Sequence, residues 1–266
     1  LNRRSVLALN KRILYYIFIL VILYPWLDGC VAKRTYIDES TRIKFVSGRS
    51  LDSLKIGWES ISPTRKQFSN IRKELQKAFN KYPDNFLIHY LDMIIIYAEL
   101  NYQGVEYAGS LNMPRRCIFV TLRDGLSYVE NVFHHELNTI LLEKECKLFD
   151  AEKWSSCNPE DFSYWDTTRG CEYVRTHGTS QPWVDTTYFH QGFTSKYSMT
   201  SLDNDLSRYA EALFMSEKEF WDAFDEYERV REKARLTINF YNKLHPMFTE
   251  EYFRGPGNQQ GVKLEE

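Results

Sequence analysis

The sequence offers one run of residues able to do hydrolytic chemistry: His134-His135-Glu136. A zinc-dependent hydrolase helix needs two histidines four residues apart, so that both imidazoles reach one metal, and a glutamate after the first to activate the metal-bound water. His135 and Glu136 fit the first ligand and the general base, but Thr139 stands where the second histidine would be. Shifting the frame to His134 does not help, because His135 follows it and Asn138 lies four residues on. The same triplet is also compatible with two polar histidines on a helix edge. Other nucleophile or phosphate-binding signatures, GxSxG or a glycine loop, are not seen. Cys146 is three turns, roughly 16 Å, along the helix from His135, too far for a thiol pair.

The surrounding pattern places these residues mid-helix. Val129, Phe133, Leu137, Ile140 and Leu141 trace a buried stripe, and Ser127 with Glu130 has capping-box spacing. Upstream, Ser62-Pro63 reads as the start of a helix whose Phe68, Ile71, Leu75 and Phe79 recur at helical spacing. An edge strand is expected around Ile43–Val46, and strands of a small sheet at Met93–Tyr97 and Cys117–Leu122. Residues 147 to 201 show no clean period and read as a long insertion beside the site. Asp203–Met215 and Glu217–Leu244 are strongly helical, with Phe220, Phe224, Tyr227 and Val230 on one face. The aromatics Trp154, Trp165, Tyr173, Trp183, Tyr188 and Phe189 suit either core packing or a groove for peptide or glycan.

The 34 basic and 36 acidic residues leave a formal charge of -2, which supplies no broad positive field for nucleic acid. With 43% hydrophobic and 15% aromatic residues the chain can bury a sizeable core. Arg3, Arg4, Lys11 and Arg12 precede an apolar run, Ile13 to Leu27, that is shorter than the roughly 20 residues of a membrane-spanning helix. Leu27-Asp28-Gly29-Cys30 then looks like a bacterial lipobox, with Cys30 as the lipidated first mature residue. The expected organisation is a signal peptide over 1–29, a tether and edge strand over 30–60, a folded domain over 61–254 and a disordered tail over 255–266. Cys117, Cys146, Cys157 and Cys171 form an even set, compatible with one or two disulfides in an exported protein.

These elements, with Gly104-Val105-Glu106-Tyr107-Ala108-Gly109, Gly192-Phe193-Thr194-Ser195-Lys196-Tyr197 and Asp203 to Glu211, resemble a zinc-binding metallopeptidase family of Bacteroidetes lipoproteins. That gluzincin-like group is distantly similar to the anthrax lethal factor catalytic domain, and the likeness runs from about Leu75 to Phe253. It implies an α+β, zincin-like fold: a small mixed sheet, an active-site helix bearing the HHE triplet and a helical C-terminal lobe. It implies His135 as metal ligand, Glu136 as catalytic base and Tyr197 as the tyrosine beside the metal. Counting seven residues from Tyr197 puts the third ligand at Asn204. Thr139 and Asn204 thus depart from the pattern, and His177, His190, Asp203, Asp205 and Glu211 are the groups that could replace them. A complete protein zinc site contributes about 10 to 16 kcal/mol, so losing two ligands weakens binding by several orders of magnitude. The expectation is a cell-envelope lipoprotein with weak or absent zinc, a non-catalytic relative that binds a peptide or envelope protein. The alternative is an active zinc-dependent metallopeptidase with an atypical ligand set.

Overall fold

The computed structural model describes residues 34–47, 58–165 and 184–255. The leader, Cys30 and the tail beyond Gly255 lie outside the described residues, as do Cys171, Tyr173, His177 and Trp183. No described helix is long and apolar enough to cross a membrane.

The fold is α+β. Strand β1 (Arg34–Ile37) turns back onto β2 (Lys44–Ser47), and β2 lies parallel to β4 (Met93–Ile96). The sheet continues through the parallel neighbour β8 (Cys117–Val120) to the antiparallel β7 (Gly109–Asn112), giving the order β1-β2-β4-β8-β7. The segment expected as an edge strand is therefore interior, because Arg34–Ile37 supplies an outer partner. A second sheet of three short strands combines β3 (Trp58–Ile61), β5 (Glu99–Tyr102) and β6 (Val105–Glu106). It lies over one face of the larger sheet, where Ile95, Phe119 and Leu100 cluster with Trp58.

Phe45, Ile94, Ile96, Ile118 and Val120 point to the other face and join the main core. Burial on both faces explains why Met93–Ile96 is uniformly apolar rather than alternating. Onto this face pack α1 (Arg65–Phe79) and α3 (Val129–Lys144), with the short α2 (Phe86–Tyr90) between α1 and β4. All four apolar positions of α1 are buried, but its cap is Thr64, not Ser62: Thr64 accepts from Gln67 N while Gln67 returns a bond to Thr64 N. The Ser127-Glu130 cap is not made either. A 3-10 turn over Leu126–Tyr128 leads into α3, and Glu130 is drawn inward to Lys81 at 2.8 Å.

Helix α4 (Ala151–Ser156) and 3-10 turns at Thr186–Gln191 and Lys196–Met199 give order to part of the long insertion. Trp154 and Phe189 there are core residues. The C-terminal helices are α5 (Leu202–Met215), α6 (Lys218–Glu226), α7 (Glu228–Leu244) and the unforeseen α8 (Glu250–Arg254). Tyr227, expected inside one long helix, instead separates α6 from α7. Helix α5 packs along α3, so the helical part shares its core with the sheet rather than forming a separate lobe. Cys117 is a buried thiol, and Cys146 and Cys157 are also outside any disulfide. The one or two bridges expected within the set of four cysteines are not formed by these three, and Cys171 lies outside the described residues.

Two glycines are demanded by close approach. Gly192 has φ 84°, and a Cβ there would lie 2.9 Å from Arg229 Cβ. At Gly109 a Cβ would lie 2.3 Å from Val132 Cγ1 and 3.1 Å from Glu136 Oε1, so β7 passes directly beside the middle of α3. Because valine is stiff at χ1, that clash has no cheap escape. Gly109→Ala should lower stability by about 1 to 3 kcal/mol in urea unfolding, and Val132→Ala in the same chain should recover part of the loss.

Candidate functional site

The two histidines of the triplet face opposite ways. His134 is fully buried against Phe214, with ring centroids 4.5 Å apart and planes 7° from parallel. Its Nδ1 meets the Tyr82 hydroxyl at 2.8 Å and its Nε2 faces Glu130 Oε1 at 3.5 Å. With Tyr82 donating to Nδ1, the ring proton sits on Nε2, toward the carboxylate. Burial outweighs the attraction of Glu130 and pushes His134 down to about 4, so the ring is neutral at pH 7. Burial also opposes ionisation of Glu130, but His134 and Lys81 outweigh it and hold the carboxyl at about 2. At neutral pH, Lys81 is the charged partner. His134 is thus a core residue.

His135 lies on the partly open side of α3. Its Nδ1 donates to Glu211 Oε1 of α5 at 2.5 Å, and Arg208 donates to Glu211 Oε2 at 2.9 Å. Burial works against a charged imidazole here, but the Glu211 hydrogen bond and charge prevail, and His135 is raised above its ordinary value. Beside it stands Tyr197, with ring centroids 6.0 Å apart, and the Arg208 guanidinium lies 5.5 Å from the Tyr197 ring. Burial, then the nearby Glu136 carboxylate, push the Tyr197 phenol well up, leaving it a neutral donor. Glu136 is partly exposed next to Gly109 of β7. His135, Glu136 and Tyr197 are therefore neighbours, as the sequence led one to expect.

The two positions that depart from a ligand pattern behave differently. Thr139 lies one turn along α3 from His135, and its hydroxyl is 3.3 Å from the hydroxyl of Ser207 on α5. Ser207 also accepts from Asn138 Nδ2 at 3.0 Å, and Tyr241 of α7 donates to Asn138 Oδ1 at 3.0 Å. Since Ser207 precedes Glu211 by one turn, α5 meets α3 as a ladder: Glu211 on His135, Ser207 on Thr139. The residue opposite Thr139 is therefore Ser207, whereas Asn204, reached by counting from Tyr197, donates to Thr200 at 2.8 Å. Only the ladder of helix contacts reveals this.

The remaining candidates are accounted for. Asp205 is fully buried, and its Oδ2 takes donors from Lys233 at 2.7 Å, Tyr164 at 2.7 Å and Trp154 at 3.2 Å. Lys233 is itself buried, 4.0 Å from the Phe193 ring centroid. Burial pushes the Asp205 carboxyl up and the Lys233 ammonium down, each opposed by the other's charge. Asp203 is exposed in the first turn of α5; protein mass around its carboxyl raises it, with His135 pulling the other way. His190 is exposed on the Thr186–Gln191 turn. Glu217 is raised to about 7, first by burial and then by repulsion from Glu211.

Among the described residues, the side chains at 139, 207 and 211 do not complete a zinc site with His135. Thr139 and Ser207 offer neutral hydroxyls already bonded to each other, and zinc prefers imidazole, thiolate and carboxylate. Glu211 binds Nδ1 of His135, on the opposite side of the ring from Nε2, and Arg208 holds its second oxygen. It therefore orients the imidazole and cannot share a metal with Nε2. Among the described residues, no three His, Cys, Asp or Glu side chains are grouped to hold a metal ion. No family model, no curated protein and no solved structure matches this chain.

In ring-nitrogen NMR the adjacent histidines should titrate on opposite sides of the ordinary imidazole value, His134 staying neutral down to about pH 4 and His135 staying protonated above 6.5. The signs for stability differ accordingly. The lowered His134 contributes fully above about 6.5, and this is lost as pH falls toward about 4. The raised His135 contributes below 6.5, and this is lost as pH climbs through its folded value. Lys233→Met strands a buried carboxylate and should cost about 3 to 5 kcal/mol in urea unfolding.

Proposed function

We propose that this chain is an exported, Cys30-anchored relative of the zinc metallopeptidases, with a zincin-like domain that binds an extended peptide at the cell envelope without cleaving it. The observation that supports this reading is the Thr139–Ser207 hydroxyl contact at 3.3 Å, one turn from His135 at the position where the family pattern has its second histidine. Without a metal there is no activated water for Glu136, and a lone carboxylate hydrolyses peptide bonds poorly.

What the site retains suits binding. A peptide group presents one acceptor and one donor. Tyr197 and the outward N–H of His135 can donate to its carbonyl, and Glu136 can accept from its N–H. Strand β7, the last strand in the order of the main sheet, passes beside Glu136 at Gly109, so an extended segment lying along the sheet would run over these groups. The anchor at Cys30 rests on the lipobox and the charged, apolar leader before it.

If Thr139 and Ser207 are the displaced ligand positions, Thr139→His with Ser207→Glu rebuilds a three-ligand zinc site around His135. The double variant should take up close to one zinc per chain under dialysis conditions where the parent takes up little. Addition of His135→Ala should abolish that gain. Uptake by the double variant no greater than by the parent would refute the assignment of these positions.

A further inference from the structure

At the other end of the main sheet, three connections meet over a recess of about 490 Å³. The β1–β2 turn supplies Arg42, the start of β2 supplies Lys44, and the 3-10 turn before β8 supplies Arg115. Each is placed by its own local device. Asp38 Oδ1 accepts from Thr41 N at 2.8 Å and from the Ser40 and Thr41 hydroxyls, which fixes the turn and holds Arg42 at φ 60°. Asn112 Oδ1 accepts from Arg115 N at 3.2 Å. Lys44 N bonds to Asp92 O and Asp92 N to Arg116 O, so the strand ends between the turns are stitched together.

The charges around this recess do not balance. Its single acidic residue, Asp92, is paired with Arg116 at 3.3 Å. Among the described residues, the side chains of Arg42, Lys44 and Arg115 have no ion-pair or hydrogen-bond partner, and the first two are on strands or turns two sheet positions from the third, about 10 Å. Long flexible cations at that spacing can converge on one group. In a chain whose formal charge is only -2, a local excess of three positive charges is not a by-product of basic composition. Ile88, Leu91 and Met93 also line the recess, and such apolar wall strengthens the field of the cations beside it.

We propose that this recess is an anion site for a phosphate group carried on an apolar moiety, held by Arg42, Lys44 and Arg115. The guanidinium forks of the two arginines match phosphate oxygens, and Lys44 adds a point charge. Thr41, also on the recess wall, spends its hydroxyl on Asp38 and is not counted among the donors. The site is independent of the cleft beside His135. Gly109, next to Glu136, pairs with Val120 at one end of β8, and the recess opens at the Met93–Cys117 end. Such a phosphate comes either from a small soluble phosphomonoester or from the headgroup of an anionic phospholipid.

The test uses the full chain and two probes. Phenyl phosphate is titrated by calorimetry with amide NMR, beside neutral phenol as control, and flotation is run with phosphatidylcholine vesicles with and without phosphatidic acid. Saturable binding of phenyl phosphate but not phenol is expected, with amide shifts at Arg42, Lys44 and Arg115. Lys44→Ala with Arg115→Ala should weaken it at least tenfold, and salt should weaken it further. Flotation that requires phosphatidic acid and disappears in the same variant, without phenyl phosphate binding, supports the site with lipid as its source. Arg42→Lys, which keeps the charge but not the fork, should weaken binding less than Arg42→Gln. Arg42→Gln with Arg115→Gln gives a second charge-removing pair in case the alanine variant does not fold. Failure of both probes to bind, or binding unchanged in the charge-removing variants, overturns the proposal.

Discussion

One carboxylate, Glu211, joins the two helices on which the candidate site is built. Its first oxygen takes the Nδ1 proton of His135 on α3 and its second takes Arg208 from its own helix. A charge nearly sealed from water must be compensated in this way, and the compensation fixes both the rotation of α5 against α3 and the plane of the imidazole. From that register the rest follows. One turn along, Ser207 falls on Thr139, and Asn138 between them is satisfied by Ser207 and Tyr241. The contact between α3 and α5 is therefore polar along its length, a charged pair at one step and hydroxyl and amide groups at the next.

The two adjacent histidines show how completely surroundings decide chemistry. His134 and His135 are identical side chains one residue apart, but a helix turns about 100° per residue and sends them to different worlds. One stacks on Phe214 in the core and is kept neutral; the other meets Glu211, which favours its charged form. A protonated His135 is a donor, which suits recognition of a carbonyl and competes with metal ligation. Tyr197, neutral and half-enclosed, adds a second donor beside it.

Much of the local architecture was legible in the sequence, because periodicity reports directly on burial. The stripe through Val129, Phe133 and Leu137 and the stripe through Phe68, Ile71 and Leu75 are both buried, and the isoleucine run at 93–96 is a strand. Contacts across elements were not legible. Asp205 reads as a surface group or spare ligand until Lys233, 28 positions away, is seen beside it in an aromatic box. Asn204 was reached by counting along one helix, while the ladder that selects Ser207 depends on how α5 lies on α3. The caps failed for a similar reason: Glu130 had a stronger partner in Lys81 than in the backbone at its own helix start.

The central claim, that the centre beside His135 is a hydrogen-bonded protein interface and not a metal site, is tested most directly by elemental analysis of the full chain purified without chelator. The prediction is far less than one zinc per chain, unchanged by Glu211→Gln. About one zinc per chain, lost when His135 is replaced by alanine, would contradict it.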